Sequence, residues 1–157
     1  MTILRPLLRR AGTVVASVAA AIAMVAVPAA AGPPNDPGLA KPDAAHHCHF
    51  EEWGGTFVCG SQDYWYKPDH YVQVFVVGLN GNVYTKWASD AGVFAWLNMG
   101  GHCYGNPGVA VWSSSSTRWR MAISCQSSDN GFVYHRKRYD DGRWDPAWIR
   151  GIPPNGW

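Results

Sequence analysis

The sequence lacks the apolar periodicity of helices. No segment after residue 46 repeats apolar residues at a spacing of about 3.6 over ten or more positions. It also lacks a G-x-S-x-G, an H-E-x-x-H and a P-loop motif. In an extended chain neighbouring side chains point apart, so neither Glu51-Glu52 nor Asp140-Asp141 forms the facing carboxylate pair of a glycosidase. These absences argue against a helical fold and leave catalysis without a motif.

A basic arm is missing as well. Three of the 13 Lys and Arg residues are Arg5, Arg9 and Arg10, and without them ten remain against 11 Asp and Glu residues. The one basic run after the N-terminal segment is Arg136-Lys137-Arg138. Because nucleic-acid binding relies on many phosphate contacts, this balance argues against a nucleic-acid partner.

Residues 1–31 have the pattern of an export signal. After the basic opening comes the uncharged apolar run Val14–Val27, followed by small residues that end at Ala31. The run is shorter than the roughly 20 residues of a membrane-spanning helix. We therefore expect cleavage after Ala31, secretion, and no membrane association of the mature form. Residues 32–45 are rich in Pro, Gly and Ala, which predicts a flexible leader before a β-rich repeat domain at 46–157.

Four cysteines lie in the mature part. They are Cys48, Cys59, Cys103 and Cys125. An even count in an exported chain predicts two disulfides, and four cysteines allow three connectivities. We expect Cys48–Cys59 and Cys103–Cys125, because each pair closes a short loop. Three histidines flank Cys48, but an oxidised cysteine cannot act as a thiolate ligand, so no metal site is predicted.

Short runs of β-branched and aromatic residues take the place of a helical pattern. The predicted strands are Tyr71–Val77, Val83–Trp87, Val109–Trp112, Arg118–Ser124, Phe132–Lys137 and Trp144–Ile149. Asn80-Gly81 and Asn130-Gly131 are type I′ turn signals that join strands into hairpins. The sequence therefore predicts an all-β antiparallel meander.

The meander repeats along the chain. Asn80-Gly81 and Val83-Tyr84 recur 50 residues later as Asn130-Gly131 and Val133-Tyr134, and Trp96 recurs as Trp148. A period of about 50 residues with about four strands per unit is typical of propeller blades. Trp53-Gly54-Gly55 is similar to the segment from Trp96 to Gly101, and predicts the end of an incomplete preceding unit.

These segments resemble a known repeat. VFVVGLNGNVYTKW (74–87) with FAWLNMGG (94–101), and later VYHRK (133–137) with WDPAWIRG (144–151), resemble the blades of bacterial and fungal lectin-type β-propellers. The resemblance implies glycans or glycoconjugates as partners, bound between adjacent blades without a cofactor, a metal or catalysis. About two blades cannot close a ring of 4–8. Either several copies assemble into one propeller as a homo-oligomer, or the repeats pack as a small sandwich or barrel.

Aromatic side chains are the candidate sugar contacts. The chain has nine Trp and seven Tyr residues, and sugar C–H faces stack on such rings. The candidate ligand-binding residues are Trp87, Trp112, Tyr134, His135, Arg136 and Trp144. Trp96 and Trp148 are assigned to packing between strands. Strand alternation places Trp65 on the face opposite Tyr64 and Tyr66.

Other functions stay open. A secreted protein-interaction or inhibitor module needs no sugar site. A small hydrolase could use Glu51, His135 and Arg136 for acid–base chemistry. Arg136 and Arg138 share one strand face, which either contacts hydroxyls or an anionic sugar, or is simply solvated.

Overall fold

The computed structural model describes the backbone of residues 41–42 and the full residues 46–156. The predicted signal peptide and most of the predicted leader lie outside these residues. The described part contains strands and turns but no helix, and therefore no helix able to cross a membrane. The predicted all-β antiparallel fold is confirmed.

Within the described residues, twelve strands form three antiparallel sheets. The first sheet contains β1 (Lys41–Pro42), β2 (His47–His49) and β3 (Thr56–Val58). The second contains β4 (Asp63–Tyr66), β5 (Val72–Val77), β6 (Val83–Ser89), β7 (Gly92–Val93) and β8 (Leu97–Gly100). The third contains β9 (Val109–Trp112), β10 (Met121–Gln126), β11 (Val133–Arg138) and β12 (Ile149–Arg150).

The second and third sheets are the two predicted repeats. Their strand orders, β4-β5-β6-β8 and β9-β10-β11-β12, match position for position. The registers match as well, because Val76 pairs with Tyr84 in the first repeat and Cys125 pairs with Tyr134 in the second. In each repeat a glycine of the Asn-Gly turn has a positive φ, which the turn requires.

Two predicted strands differ from the structure. The strand expected at Arg118–Ser124 runs from Met121 to Gln126, because the Trp119 ring packs edge-on against Trp65 ahead of it. In the strand expected at Trp144–Ile149, Trp144 makes an isolated bridge and regular pairing begins at Ile149. Pro146 has no N–H to donate, and buried Asp145 instead accepts bonds from the Lys137 N–H and the Tyr139 hydroxyl.

Two apolar clusters hold the three sheets together. The first lies between the N-terminal hairpin and the first repeat and contains Cys48, Phe50, Trp53, Phe57, Val72, Val74, Val76 and Ala88. The second lies between the repeats and contains Trp65, Phe75, Val77, Val83, Met99, Cys103, Val109, Met121, Ile123 and Cys125. Side-chain alternation along β5 explains why there are two clusters. Val74 and Val76 face the hairpin of β2 and β3, while Phe75 and Val77 face the second repeat.

The outward face of the second repeat is more polar in β10 than the matching face of the first repeat in β5, although Trp112 of β9 is 40% exposed there. Where β5 presents Phe75 and Val77 to the next sheet, β10 presents Ser124 and Gln126. On the neighbouring strand, His135 replaces Thr85 and its Nδ1 lies 2.8 Å from the Gly151 carbonyl oxygen. At these positions the second repeat therefore lacks the apolar side chains with which β5 packs against the neighbouring sheet.

Both predicted disulfides are present. Cys48 is joined to Cys59, and Cys103 is joined to Cys125. Because Cys103 follows β8 and Cys125 lies in β10, the second disulfide links the two repeats covalently. Two disulfides and no free cysteine suit an oxidising, extracellular-type environment.

Candidate functional site

Two equivalent pockets lie at the two joints between successive sheets. The first has a volume of about 350 Å³ and is lined by Gly55, Thr56, Val76, Gly78, Leu79, Asn80, Tyr84 and Trp96. The second has a volume of about 160 Å³ and is lined by Gly101, His102, Cys103, Cys125, Ser127, Asp129, Asn130, Tyr134 and Trp148. Apart from Cys103, every residue of the second pocket occupies the position of one in the first.

An asparagine and a tyrosine form the polar edge of each pocket. In the first, Asn80 Nδ2 donates to the Tyr84 hydroxyl at 3.0 Å, and in the second Asn130 Nδ2 donates to the Tyr134 hydroxyl at 3.0 Å. Each asparagine Oδ1 accepts the backbone N–H two residues later, which fixes the amide in the turn. Each pocket therefore presents an oriented amide and a phenol hydroxyl beside apolar surface.

A tryptophan and a Gly-Gly turn form the opposite edge. Trp96 Nε1 donates to the Gly54 carbonyl at 3.1 Å, and Trp148 Nε1 donates to the Met99 carbonyl at 3.0 Å. Both glycines of both turns have positive φ, from 64° to 97°, and a Cβ on Gly55 would lie 2.3 Å from Trp96 Nε1. Glycine is therefore required for the indole to approach the turn this closely.

A cation supports each turn from behind the pocket. Lys86 donates to the Trp53 carbonyl and lies over the Trp96 ring. At the equivalent position of β11, Arg136 Nη1 donates to the Met99 carbonyl at 3.1 Å. Burial lowers the pKa of both Lys86 and Arg136, and Asp145 opposes this shift at Arg136. Neither cation lines a pocket, so both act by holding the turns.

The two pockets differ in polarity. Leu79 and Thr56 flank the first, and Asp129 and His102 replace them in the second. His102 Nδ1 lies 3.3 Å from Asp129 Oδ1 across the mouth of the second pocket. The Cys103–Cys125 disulfide lines this pocket where Val76 lines the first. The first pocket is therefore wider and mainly apolar, whereas the second is narrower and offers a carboxylate.

The structure distributes the six predicted ligand-binding residues over different places. Tyr134 lines the second pocket, whereas Arg136 lies behind it. Trp87 and Trp144 line a separate cavity between the repeats. Trp112 and His135 are on the outward face of the second repeat, where Trp112 Nε1 donates to Ser124 Oγ at 2.8 Å.

The pocket residues that the sequence interpretation missed are those it assigned to turns and packing. Asn80 and Asn130 were predicted as turn residues, and Trp96 and Trp148 as packing residues. They do perform those roles. The signal that could have found them is their recurrence, because the turn asparagine, the strand tyrosine and the tryptophan all recur at offsets of 50 to 52.

The residues of the alternative hydrolase do not converge. His135 and Arg136 are neighbours in β11, so their side chains lie on opposite faces of the sheet. Glu51 lies in the turn between β2 and β3. Within residues 46–156, no group of three or more His, Cys, Asp or Glu side chains is arranged to hold a metal ion.

Comparison with known proteins identifies no relative. No family model matches the chain, and neither a curated protein nor a solved structure does. The resemblance to lectin-type propeller blades therefore stays a prediction that rests on the quoted segments. The two pockets have to be interpreted from their own geometry.

Proposed function

We propose that this protein is a secreted, non-catalytic carbohydrate-binding protein whose two equivalent pockets each hold one neutral sugar unit. The observation that carries the proposal is the recurrence of one set of lining residues at both joints. Packing alone accounts for the tryptophan and the glycines. It does not account for a half-exposed phenol held by an asparagine amide at the same position twice.

The chemistry of the lining supports a sugar. Sugars carry C–H faces that pack on aromatic rings, and hydroxyls that need oriented donors and acceptors. Trp96 with Tyr84, and Trp148 with Tyr134, supply the ring surface. The amides of Asn80 and Asn130 are planar groups with both donor and acceptor capacity. Such pockets with a few oriented polar groups are typical of small-molecule sites.

The differences between the pockets support different sugar substituents. Leu79 and Val76 give the first pocket apolar surface suited to a methyl, acetyl or deoxy position. Asp129 gives the second pocket a carboxylate that can accept bonds from two neighbouring hydroxyls. We therefore expect unequal affinities of the two pockets for any one sugar.

A glycan array probed with the mature protein, followed by NMR titration of the best sugar, tests the proposal. The indole N–H signals of Trp96 and Trp148 report on the two pockets separately. We expect both signals to shift with added sugar. Tyr84→Phe removes one hydroxyl and should weaken binding at the first pocket roughly two- to tenfold, the range for one lost neutral hydrogen bond. Tyr134→Phe should do the same at the second pocket.

Tyr66→Phe is the matched control, because Tyr66 is 67% exposed on β4 and lines neither pocket. It should leave both signals as in the natural protein. Absence of any glycan that shifts either indole signal would refute the proposal. A stable complex with a secreted protein in the absence of sugar binding would instead favour the interaction or inhibitor module.

A further inference from the structure

A third cavity lies between the repeats and shares no lining residue with the two pockets. Its volume is about 340 Å³. It is lined by Lys67, Gln73, Thr85, Trp87, Leu97, Trp119, Arg138, Gly142 and Trp144. Thr85 and Trp87 point toward the second repeat from β6, whereas Tyr84 and Lys86 point the other way. We refer to it as the tryptophan cavity.

Two cations line the tryptophan cavity, and they differ in their hydrogen-bond and ion-pair partners. Lys67 Nζ pairs with Asp69 at 2.9 Å and donates to the Ala88 carbonyl at 3.0 Å. Arg138 donates to the Trp119 carbonyl. Among the described residues, no ion pair joins Arg138 to an acidic side chain.

The acidic residues around Arg138 are engaged elsewhere. Asp141 pairs with Arg143 at 2.6 Å, and Asp140 accepts the Arg120 backbone N–H at 3.0 Å. Together with Asp69 they only partly offset the burial that lowers the pKa of Arg138. Because a guanidinium stays charged in proteins and buried charges are normally paired, this half-buried cation favours an incoming anion.

The guanidinium also lies close to two aromatic rings. Its central carbon lies 5.4 Å from the centroid of the Trp65 ring and 5.5 Å from that of the Trp119 ring. A guanidinium presents a planar fork of donors, which suits two-point binding of a carboxylate.

The rest of the cavity wall suits a hydroxylated ring. Trp87 and Trp144 supply aromatic surface from the two repeats. Gln73 Nε2 donates to Thr85 Oγ1 at 2.9 Å, and the fully buried Thr85 hydroxyl donates to the Val74 carbonyl at 2.8 Å. The Gln73 amide, which keeps one N–H and its carbonyl oxygen, is therefore the neutral polar group of the wall. A ring with a carboxylate at one position and hydroxyls at others matches this combination of groups.

We propose that the tryptophan cavity is a separate binding site for a carboxylate-bearing sugar. The carboxylate pairs with Arg138, the C–H face of the ring packs on Trp87 or Trp144, and a hydroxyl reaches the Gln73 amide. This site would extend recognition from neutral to acidic glycans. It does not depend on sugar binding at the two equivalent pockets.

Titration of the mature protein with glucuronic acid tests the site, with glucose as the neutral counterpart. The indole N–H signals of Trp87 and Trp144 should shift with glucuronic acid, and glucose should bind them at least tenfold more weakly, since it lacks the charged partner of Arg138. Benzoic acid supplies a carboxylate on a flat ring without hydroxyls. We expect it to bind more weakly than glucuronic acid.

Arg138→Gln should abolish the preference for glucuronic acid, and Arg138→Lys should retain part of it because the charge remains. Arg118→Gln is the control, since Arg118 is exposed and is not among the residues that line the tryptophan cavity. The NMR spectrum of each variant must keep the dispersion of the folded protein. If Arg138→Gln does not fold, the proposal is tested by the ligand preference of Arg138→Lys and by the relative binding of the three ligands to the natural protein.

Equal binding of glucose and glucuronic acid, or tighter binding of benzoic acid, would overturn the proposal, and so would an unchanged preference in a folded Arg138→Gln protein. The indole signals of Trp96 and Trp148 report sugar binding at the two equivalent pockets. They therefore distinguish failure of the tryptophan cavity from failure of the proposed function. Neutral sugars should shift those two signals whether or not glucuronic acid shifts Trp87 and Trp144.

Discussion

Alanine substitution in the Gly-Gly turns tests whether these turns create the pockets. Gly55 has φ = 97°, and a Cβ there would lie 2.3 Å from Trp96 Nε1. The Trp96 ring cannot retreat freely, because it stacks on Phe50 at 6.1 Å and lies under Lys86. Gly55→Ala should therefore both strain the backbone and displace the indole.

The expected magnitude follows from two contributions. A non-glycine residue held at this φ costs roughly 1–3 kcal/mol, and loss of the bond from Trp96 to the Gly54 carbonyl costs about 1 kcal/mol. Gly55→Ala should lower the free energy of unfolding by roughly 2–4 kcal/mol on these values. It should also move the Trp96 indole signal and weaken sugar binding at the first pocket alone.

Two neighbouring substitutions serve as controls. Gly54 has φ = 64° and open space around its Cβ position, so Gly54→Ala should cost only about 1 kcal/mol. Gly101→Ala places the Cβ 3.2 Å from the Trp148 ring and should fall between the two. Urea unfolding followed by tryptophan fluorescence measures all three. A Gly55→Ala protein that is no less stable than Gly54→Ala would refute the reasoning.

Two further predictions concern the joint between the repeats and the end of the stack. Replacing Cys103 and Cys125 together with serine should lower the free energy of unfolding by about 3 kcal/mol, from the chain entropy of a loop with a sequence separation of 22. Urea unfolding checks this, and a loss below about 1 kcal/mol would show that the joint holds without the disulfide. The molar mass of the mature protein in solution should be that of a monomer, because Ser124 and Gln126 replace Phe75 and Val77 on the outward face. A trimer measured by light scattering would instead support assembly of several copies into a ring.

The sequence predicted the fold well where strand pattern and turn chemistry agree. Hairpins around Asn80-Gly81 and Asn130-Gly131 formed as predicted, and Val109–Trp112 has the predicted bounds. These segments depend on local rules, namely alternation and the φ > 0 of an Asn-Gly turn. The prediction failed around Arg118 and Asp145. Trp119 packs against Trp65, which is distant in the chain, and Asp145 accepts a side-chain bond from the Tyr139 hydroxyl instead of continuing a strand.

The candidate site was less accessible to sequence reasoning. The candidate Tyr134 lines the second pocket. Trp87 and Trp144 were selected because they adjoin turns, and they line the tryptophan cavity. Two residues on one strand share a pocket only if they face the same neighbouring sheet. Which sheet each face meets depends on how the repeats stack, and no local pattern encodes this.

The aromatic and glycine content, the 50-residue recurrence and the four cysteines determined an all-β, disulfide-linked protein built of two repeats. Pairing within each hairpin and each disulfide spans a short stretch of chain, so sequence patterns suffice to predict them. Only the tertiary structure decided that each Gly-Gly turn contacts the tryptophan of the next repeat. Only the tertiary structure also decided that Arg138 lines a cavity without an ion pair to any acidic side chain of the described residues. Those features arise where separate sheets meet, and their geometry is set by packing across the joint.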